Sequence, residues 1–108
     1  MVEFAATGSK IYFNGRIVPE REATVHVLSG AVKYGATVFE GICAYLGDEG
    51  RLTVFRLPEH LLRLRDSMRI MRFEQDWSVS HLTEVVTDVI KANELHEDTH
   101  IRLSAYVL

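Results

Sequence analysis

The chain is poor in several things. A single cysteine among 108 residues, Cys43, excludes an internal disulfide and fits a reducing, cytoplasmic setting. Positive charge is not in excess: twelve Lys and Arg stand against fifteen Asp and Glu, a formal net charge of −3, and no basic run forms. That balance gives no electrostatic reason to expect nucleic acid as a partner. No apolar stretch approaches the roughly 20 residues of a membrane-spanning helix. The opening MVEFAATGSK lacks both the basic and the apolar region of a secretory leader. With 47% hydrophobic and 25% charged residues, the composition is that of an ordinary globular domain, expected in the cytoplasm.

What is present has a readable order. KIYFNGRIVP is a hairpin signal, with Asn14-Gly15 supplying the two turn residues that favour positive φ. Pro19 and the charged EREA after it end the second strand. TVHVLS, residues 24–29, is a short β-prone piece broken by Ser29-Gly30, and GAVKYG suits a helical turn. A long strand follows over Thr37 to Leu46, then the turn GDEG, with RLTVFRL as its hairpin partner. Pro58 favours a helix start, and Leu61, Leu64, Met68 and Met71 form one stripe at spacings of three and four. Ser78 or Ser80 caps a second helix, whose Leu82, Val85, Val86, Val89 and Ile90 follow a buried-face pattern up to Asn93. THIRLSAYVL is a further strand. The order predicts an α+β domain, an antiparallel-rich sheet with two helices. Its last residues, SAYVL, read as core sequence without turn or polar tail, so the chain is expected to be the front part of a longer protein.

Several motifs tempt and then fail on context. HEDTH, His96 to His100, has the letters of a zinc-protease helix, but the helix stops near Asn93 and Asp98-Thr99 is a turn, so no metal site is expected. GAVKYGAT has two glycines but Ala36-Thr37 where a phosphate loop needs Lys-Ser/Thr. Cys43, lone in an apolar strand, reads as a small buried residue rather than a nucleophile. Glu40, in the middle of the same strand, is either satisfied locally or faces polar neighbours, and the pattern does not choose. Arg63 lies beside the apolar stripe of its helix and, on pattern alone, is a solvated arginine. The long strand also carries a glycine, Gly41, which inside a strand marks a bulge, a bend or a close approach.

The motifs in sequence, YFNGRIVP, VHVLSGAVKYGATVFEGICAY, VFRLPEHLLRLRDSMRIMRF and THIRL, resemble the class IV pyridoxal-phosphate aminotransferases. The branched-chain amino acid branch is the nearest in pattern. The resemblance runs from about Ile11 to the end, and the combination of YGATVFEGI with FRLPEHLLRL is specific. It implies the N-terminal domain of a two-domain enzyme that uses pyridoxal 5'-phosphate to move an amino group between branched-chain amino acids and 2-oxoglutarate. It also implies a homodimer. By the same resemblance Phe39 walls the pocket for an apolar side chain, and Gly41 leaves room beside it. Tyr34 reaches the partner subunit's pocket, Arg63 binds the cofactor phosphate, and Arg102 receives the distal carboxylate of glutamate. A guanidinium fork suits a phosphate, which gives Arg63 a purpose that the helical pattern does not.

Three departures bear on that reading. Gly41-Ile42-Cys43 stands where the branched-chain enzymes usually have Gly-Ile-Arg, and His100-Ile101-Arg102-Leu103 where they have Tyr-Ile-Arg-Pro. Both alter the pocket and leave the amino donor open. The Schiff-base lysine of the family lies in its second domain, and Lys10, Lys33 and Lys91 match no such position. That lysine anchors the cofactor and moves the proton, so these 108 residues alone are expected to be inactive. The alternatives are a sister class IV enzyme, namely a D-amino acid or amine transaminase or an aminodeoxychorismate lyase, or a non-catalytic binding or dimerisation module of the same fold.

Overall fold

The structure, a computed structural model, describes residues 8–108; residues 1–7, most of the stretch read above as no leader, lie outside the described residues. Alternating apolar residues around Asn14-Gly15, both at positive φ, close a hairpin of β1 (Lys10–Phe13) and β2 (Arg16–Pro19). Residues 24–29, expected as β-prone, form no strand. There Ser29 N–H donates to the His26 carbonyl at 2.9 Å, and Ser29 Oγ accepts from Val32 N–H, capping the short helix α1 (Gly30–Tyr34). Capping chemistry overrides strand propensity here, because Ser competes for backbone partners locally. Gly35, at φ 62°, ends α1 in the left-handed conformation that glycine adopts without strain.

The long strand β3 runs Thr37–Leu46, as expected, and is the centre of a three-stranded antiparallel sheet ordered β4-β3-β5. Its hairpin partner β4 is short, Leu52–Val54, because Arg56 turns to positive φ and the helix α2 (Leu57–Ile70) begins at once. Pro58 sits in the first turn of α2, where its missing N–H costs nothing. Helix α3 (Val79–Ala92) is capped by Ser78, whose Oγ accepts from His81 N–H at 3.0 Å, and β5 (Thr99–Tyr106) completes the sheet. Asn93 ends α3 and also ties it to the hairpin. Its side chain accepts from Lys10 N–H at 2.8 Å and donates to the Lys10 carbonyl at 2.9 Å.

The two long helices cover one face of the sheet. Leu61, Leu64 and Met68 of α2 pack with Leu82 and Ala105; Val86 of α3 packs with Ile42, Ala44 and Ile101. Burial of each such side chain contributes about 1.5–3 kcal/mol, which is what holds helices to strands here. Met71, expected on the α2 stripe, lies beyond the end of the helix and is exposed, because Arg72 at positive φ turns the chain away. Among the described residues no helix is long and apolar enough to cross a membrane.

Candidate functional site

The register of β3 on β5 decides which side chains meet. Phe39 pairs with Ser104, Gly41 with Arg102 and Cys43 with His100, while Glu40 pairs with Leu103 and Ile42 with Ile101. Because side chains alternate along a strand, the two sets point to opposite faces. Val38, Glu40, Ile42 and Ala44 face the helices; Phe39, Gly41, Cys43 and Tyr45 share the open face with His100, Arg102 and Ser104. Three of the expected substrate residues, Phe39, Gly41 and Arg102, therefore stand together on the open face.

Their contacts are specific. The Arg102 guanidinium lies 4.0 Å from the centroid of the Phe39 ring, and its Nε donates to Ser104 Oγ at 3.2 Å. Stacking on the ring face holds a cation without consuming its outer N–H groups. Gly41 has an ordinary extended φ, so it is not demanded by the backbone. Its place is crowded instead: a Cβ there would lie 2.8 Å from His100 Nε2 and 3.1 Å from Cε1. The room that Gly41 was expected to leave is filled by the His100 imidazole. Cys43, expected to be buried, is half-buried on this face. Its thiol against the Tyr45 hydroxyl, foremost among the causes, pushes that phenol up.

Tyr34 and Arg63 stand apart from this group. Tyr34 is the last residue of α1 and is 77% exposed, with Lys33 Nζ 5.0 Å from its ring centroid. Arg63 rises from α2, on the covered side of the sheet, and it is not simply solvated. Its side chain is 68% exposed, yet Nε donates to Glu40 Oε2 at 2.8 Å and Nη2 to Oε1 at 2.7 Å. Glu40 itself is 4% exposed and also takes His60 Nδ1 at 2.7 Å. The Arg63 hydrogen bond is the largest cause holding the Glu40 carboxyl below the ordinary carboxylate range. Burial opposes it, and His60 reinforces it. Glu40 in turn raises the guanidinium.

Glu40 thus faces polar neighbours, the alternative its sequence context left open. Its position was readable in part: it shares the parity of Val38, Ile42 and Ala44, and a carboxylate on that face needs cations from the covering helix. Arg63 supplies the cation, and His60, at i−3 on the same face of α2, adds a ring nitrogen within hydrogen-bond distance. The occupation of the Gly41 space by His100 had no sequence signal, because it depends on register. Among the described residues no group of three or more His, Cys, Asp or Glu is placed to hold a metal ion. A groove of about 850 Å³ between β1, α3 and β5 meets the open face only through β5 residues such as His100 and Arg102.

No family model matches the chain. A branched-chain-amino-acid aminotransferase of Salmonella typhimurium is 48% identical over 85 residues, covering 79% of this chain and 27% of that protein. The chain therefore spans about a quarter of the length of the curated relatives it matches. The branched-chain aminotransferase of Thermoproteus uzoniensis, solved with norvaline, superposes with a TM-score of 0.86 at 42% identity, over 91% of this chain and 33% of that one. The branched-chain amino acid aminotransferase of Escherichia coli superposes with a TM-score of 0.86 at 42% identity, over 94% of this chain and 33% of that one. In sequence and in fold the chain is the counterpart of the N-terminal domain of the branched-chain amino acid aminotransferases.

Proposed function

We propose that residues 1–108 form the N-terminal domain of a pyridoxal 5'-phosphate-dependent transaminase that moves an amino group between branched-chain amino acids and 2-oxoglutarate. The whole protein, on this reading, is a cytoplasmic homodimer. The observation that carries it is the Arg102 guanidinium resting on the Phe39 ring beside Gly41. A pocket that holds a branched apolar side chain in one half-reaction and a carboxylate in the other needs an apolar wall and a cation within reach. Phe39 is the wall, and Arg102, 4.0 Å above it with its outer N–H groups unspent on the ring, is the cation.

The residues fit the cofactor. Glu40 takes the Nε–Nη2 edge of Arg63, which leaves the Nη1 side of a five-donor guanidinium for a phosphate. When bound, pyridoxal phosphate would supply the electron sink for removing the Cα proton, and the lysine that moves that proton would lie outside residues 1–108. Arg63 holds the phosphate, Phe39 excludes water from the apolar side chain, and Arg102 orients the distal carboxylate. Tyr34, 77% exposed, is free to be covered by a second subunit.

Steady-state assays of the full-length protein with leucine, isoleucine or valine and 2-oxoglutarate test this. Arg102→Ala is expected to raise KM for 2-oxoglutarate about ten- to hundredfold, the worth of one charge-assisted hydrogen bond, with KM for leucine changed far less. The 108-residue chain by itself is expected to give no turnover. An equal rise in both KM values, or absence of branched-chain turnover, overturns the reading.

A further inference from the structure

The strand that carries the open-face residues also carries, between Phe39 and Gly41, the buried Glu40. Its two oxygens take four contacts. Arg63 Nε reaches Oε2 at 2.8 Å and Oε1 at 3.1 Å, Arg63 Nη2 reaches Oε1 at 2.7 Å, and His60 Nδ1 reaches Oε1 at 2.7 Å. Glu40 is 4% exposed while the Arg63 side chain is 68% exposed. The carboxylate is thus an anchor inside the fold, and the guanidinium is its solvent-facing end. A free arginine on a helix samples many rotamers; one gripped along its Nε–Nη2 edge keeps a single plane. The adjacent Nη1–Nη2 edge, on a side chain 68% exposed, is left as a two-donor fork. His60, bonded to the same oxygen, keeps the carboxylate from rotating away.

We infer that Glu40 is a positioning residue for cofactor binding: through its bidentate grip it fixes the Arg63 fork in the plane that receives the phosphate. This rests on the assignment of Arg63 above. Glu40 touches neither cofactor nor substrate, and it ties the phosphate contact on α2 to the strand whose neighbouring residues wall the pocket. The grip also neutralises part of the Arg63 charge, which works against anion binding. Orientation is the larger effect, because an exposed guanidinium is screened by water whichever way it points, whereas fork geometry is lost altogether once the side chain is free.

Equilibrium titration of the full-length apoenzymes with pyridoxal 5'-phosphate, and with pyridoxal, which lacks the phosphate, is the experiment. Arg63→Ala should weaken pyridoxal phosphate about tenfold or more and leave pyridoxal within about twofold. Glu40→Gln should weaken pyridoxal phosphate about tenfold with pyridoxal unchanged, and Glu40→Asp, which keeps the charge, should recover part of the loss. The double variant should bind no more weakly than Arg63→Ala alone, since Glu40 acts through that side chain. Arg63→Lys, which keeps the charge but not the fork, should also lose about tenfold; this variant serves if Glu40→Gln fails to fold. Full affinity in Arg63→Lys, tighter phosphate binding in Glu40→Gln, or equal losses for both ligands overturns the inference. Full affinity in Arg63→Ala overturns instead the assignment of Arg63 on which it rests.

Discussion

The two faces of β3 obey different rules. On the covered face Ile42 and Ala44 are fully buried, and Glu40 is buried with the Arg63 guanidinium and the His60 ring nitrogen bonded to it. Ile42 and Ala44 are what packing against α2 and α3 requires. On the open face Phe39 is 52% exposed and Tyr45 half exposed, and nothing in the fold of this chain demands an aromatic residue there. Arg102 lies over one of those rings, where a small polar residue would serve the strand as well. Exposed aromatic and cationic groups gathered on one surface have to be explained by what they meet, not by what they hold together. One strand thus separates packed from open side chains, residue by residue, at a period of two.

The largest expected effect tests that separation directly. Ile42, with no exposed surface, packs against Val86 and Ile101. Ile42→Ala should therefore destabilise the protein by about 2–5 kcal/mol, the transfer loss plus the cavity left behind. Its neighbour Cys43, half-buried on the other face, should tolerate alanine with a change of less than about 1 kcal/mol. Urea denaturation of the two variants gives both numbers. Comparable losses would mean that the open face is also load-sharing core.

The same division explains what could be read from the sequence. The covered face announces itself through alternation in β3 and the three-and-four spacing of Leu61, Leu64 and Met68, since burial needs only the right polarity at the right period. The cap at Ser78 is local chemistry and was legible; Ser29, read only as a break, also caps a helix, and residues 24–29 misled because β-propensity is weak beside a cap and a turn. That Phe39, Gly41 and Arg102 share the open face had no signal in composition or periodicity. Arg102 lies far along the chain from Phe39 and Gly41, and only the register of β5 on β3 brings it to them. Glu40 fell between the two: its parity marks it as inward, but its partners sit on a helix whose rotation the sequence does not give.

Acid sharpens the comparison next, because the covered face contains a carboxylate whose proton affinity changes on folding. The Glu40 carboxyl is held down chiefly by Arg63, so the unfolded chain binds its proton at higher pH than the folded one. Stability from this group is complete above the ordinary carboxylate range. It falls as pH drops through that range toward the lowered folded value. Glu40→Gln should flatten this part of the stability–pH curve, whereas Cys43→Ala should leave it unchanged. Thermal melts between about pH 3 and about 7 would show it. An acid slope identical in wild type and Glu40→Gln would mean that the Arg63 grip adds no net stability.

The smallest effect is expected at Gly41, where the two faces can be told apart by a single methyl group. Glycine inside a strand costs roughly 0.5–1 kcal/mol relative to alanine, so Gly41→Ala begins with a gain. No left-handed φ opposes it, but the new Cβ would come within 2.8 Å of His100 Nε2. On the covered face such an overlap would be expensive, since packed atoms have nowhere to go. Here the obstructing atom is the far end of an exposed side chain, which can rotate toward solvent. The gain and the loss of the imidazole's resting place should nearly offset, leaving stability within about 0.5 kcal/mol of wild type. Adding His100→Ala removes the obstruction, and the double variant should show the alanine gain relative to His100→Ala alone. Thermal denaturation of the four proteins in this cycle measures it. A loss above about 2 kcal/mol in Gly41→Ala that His100→Ala does not relieve would show the open face to be packed like the covered one.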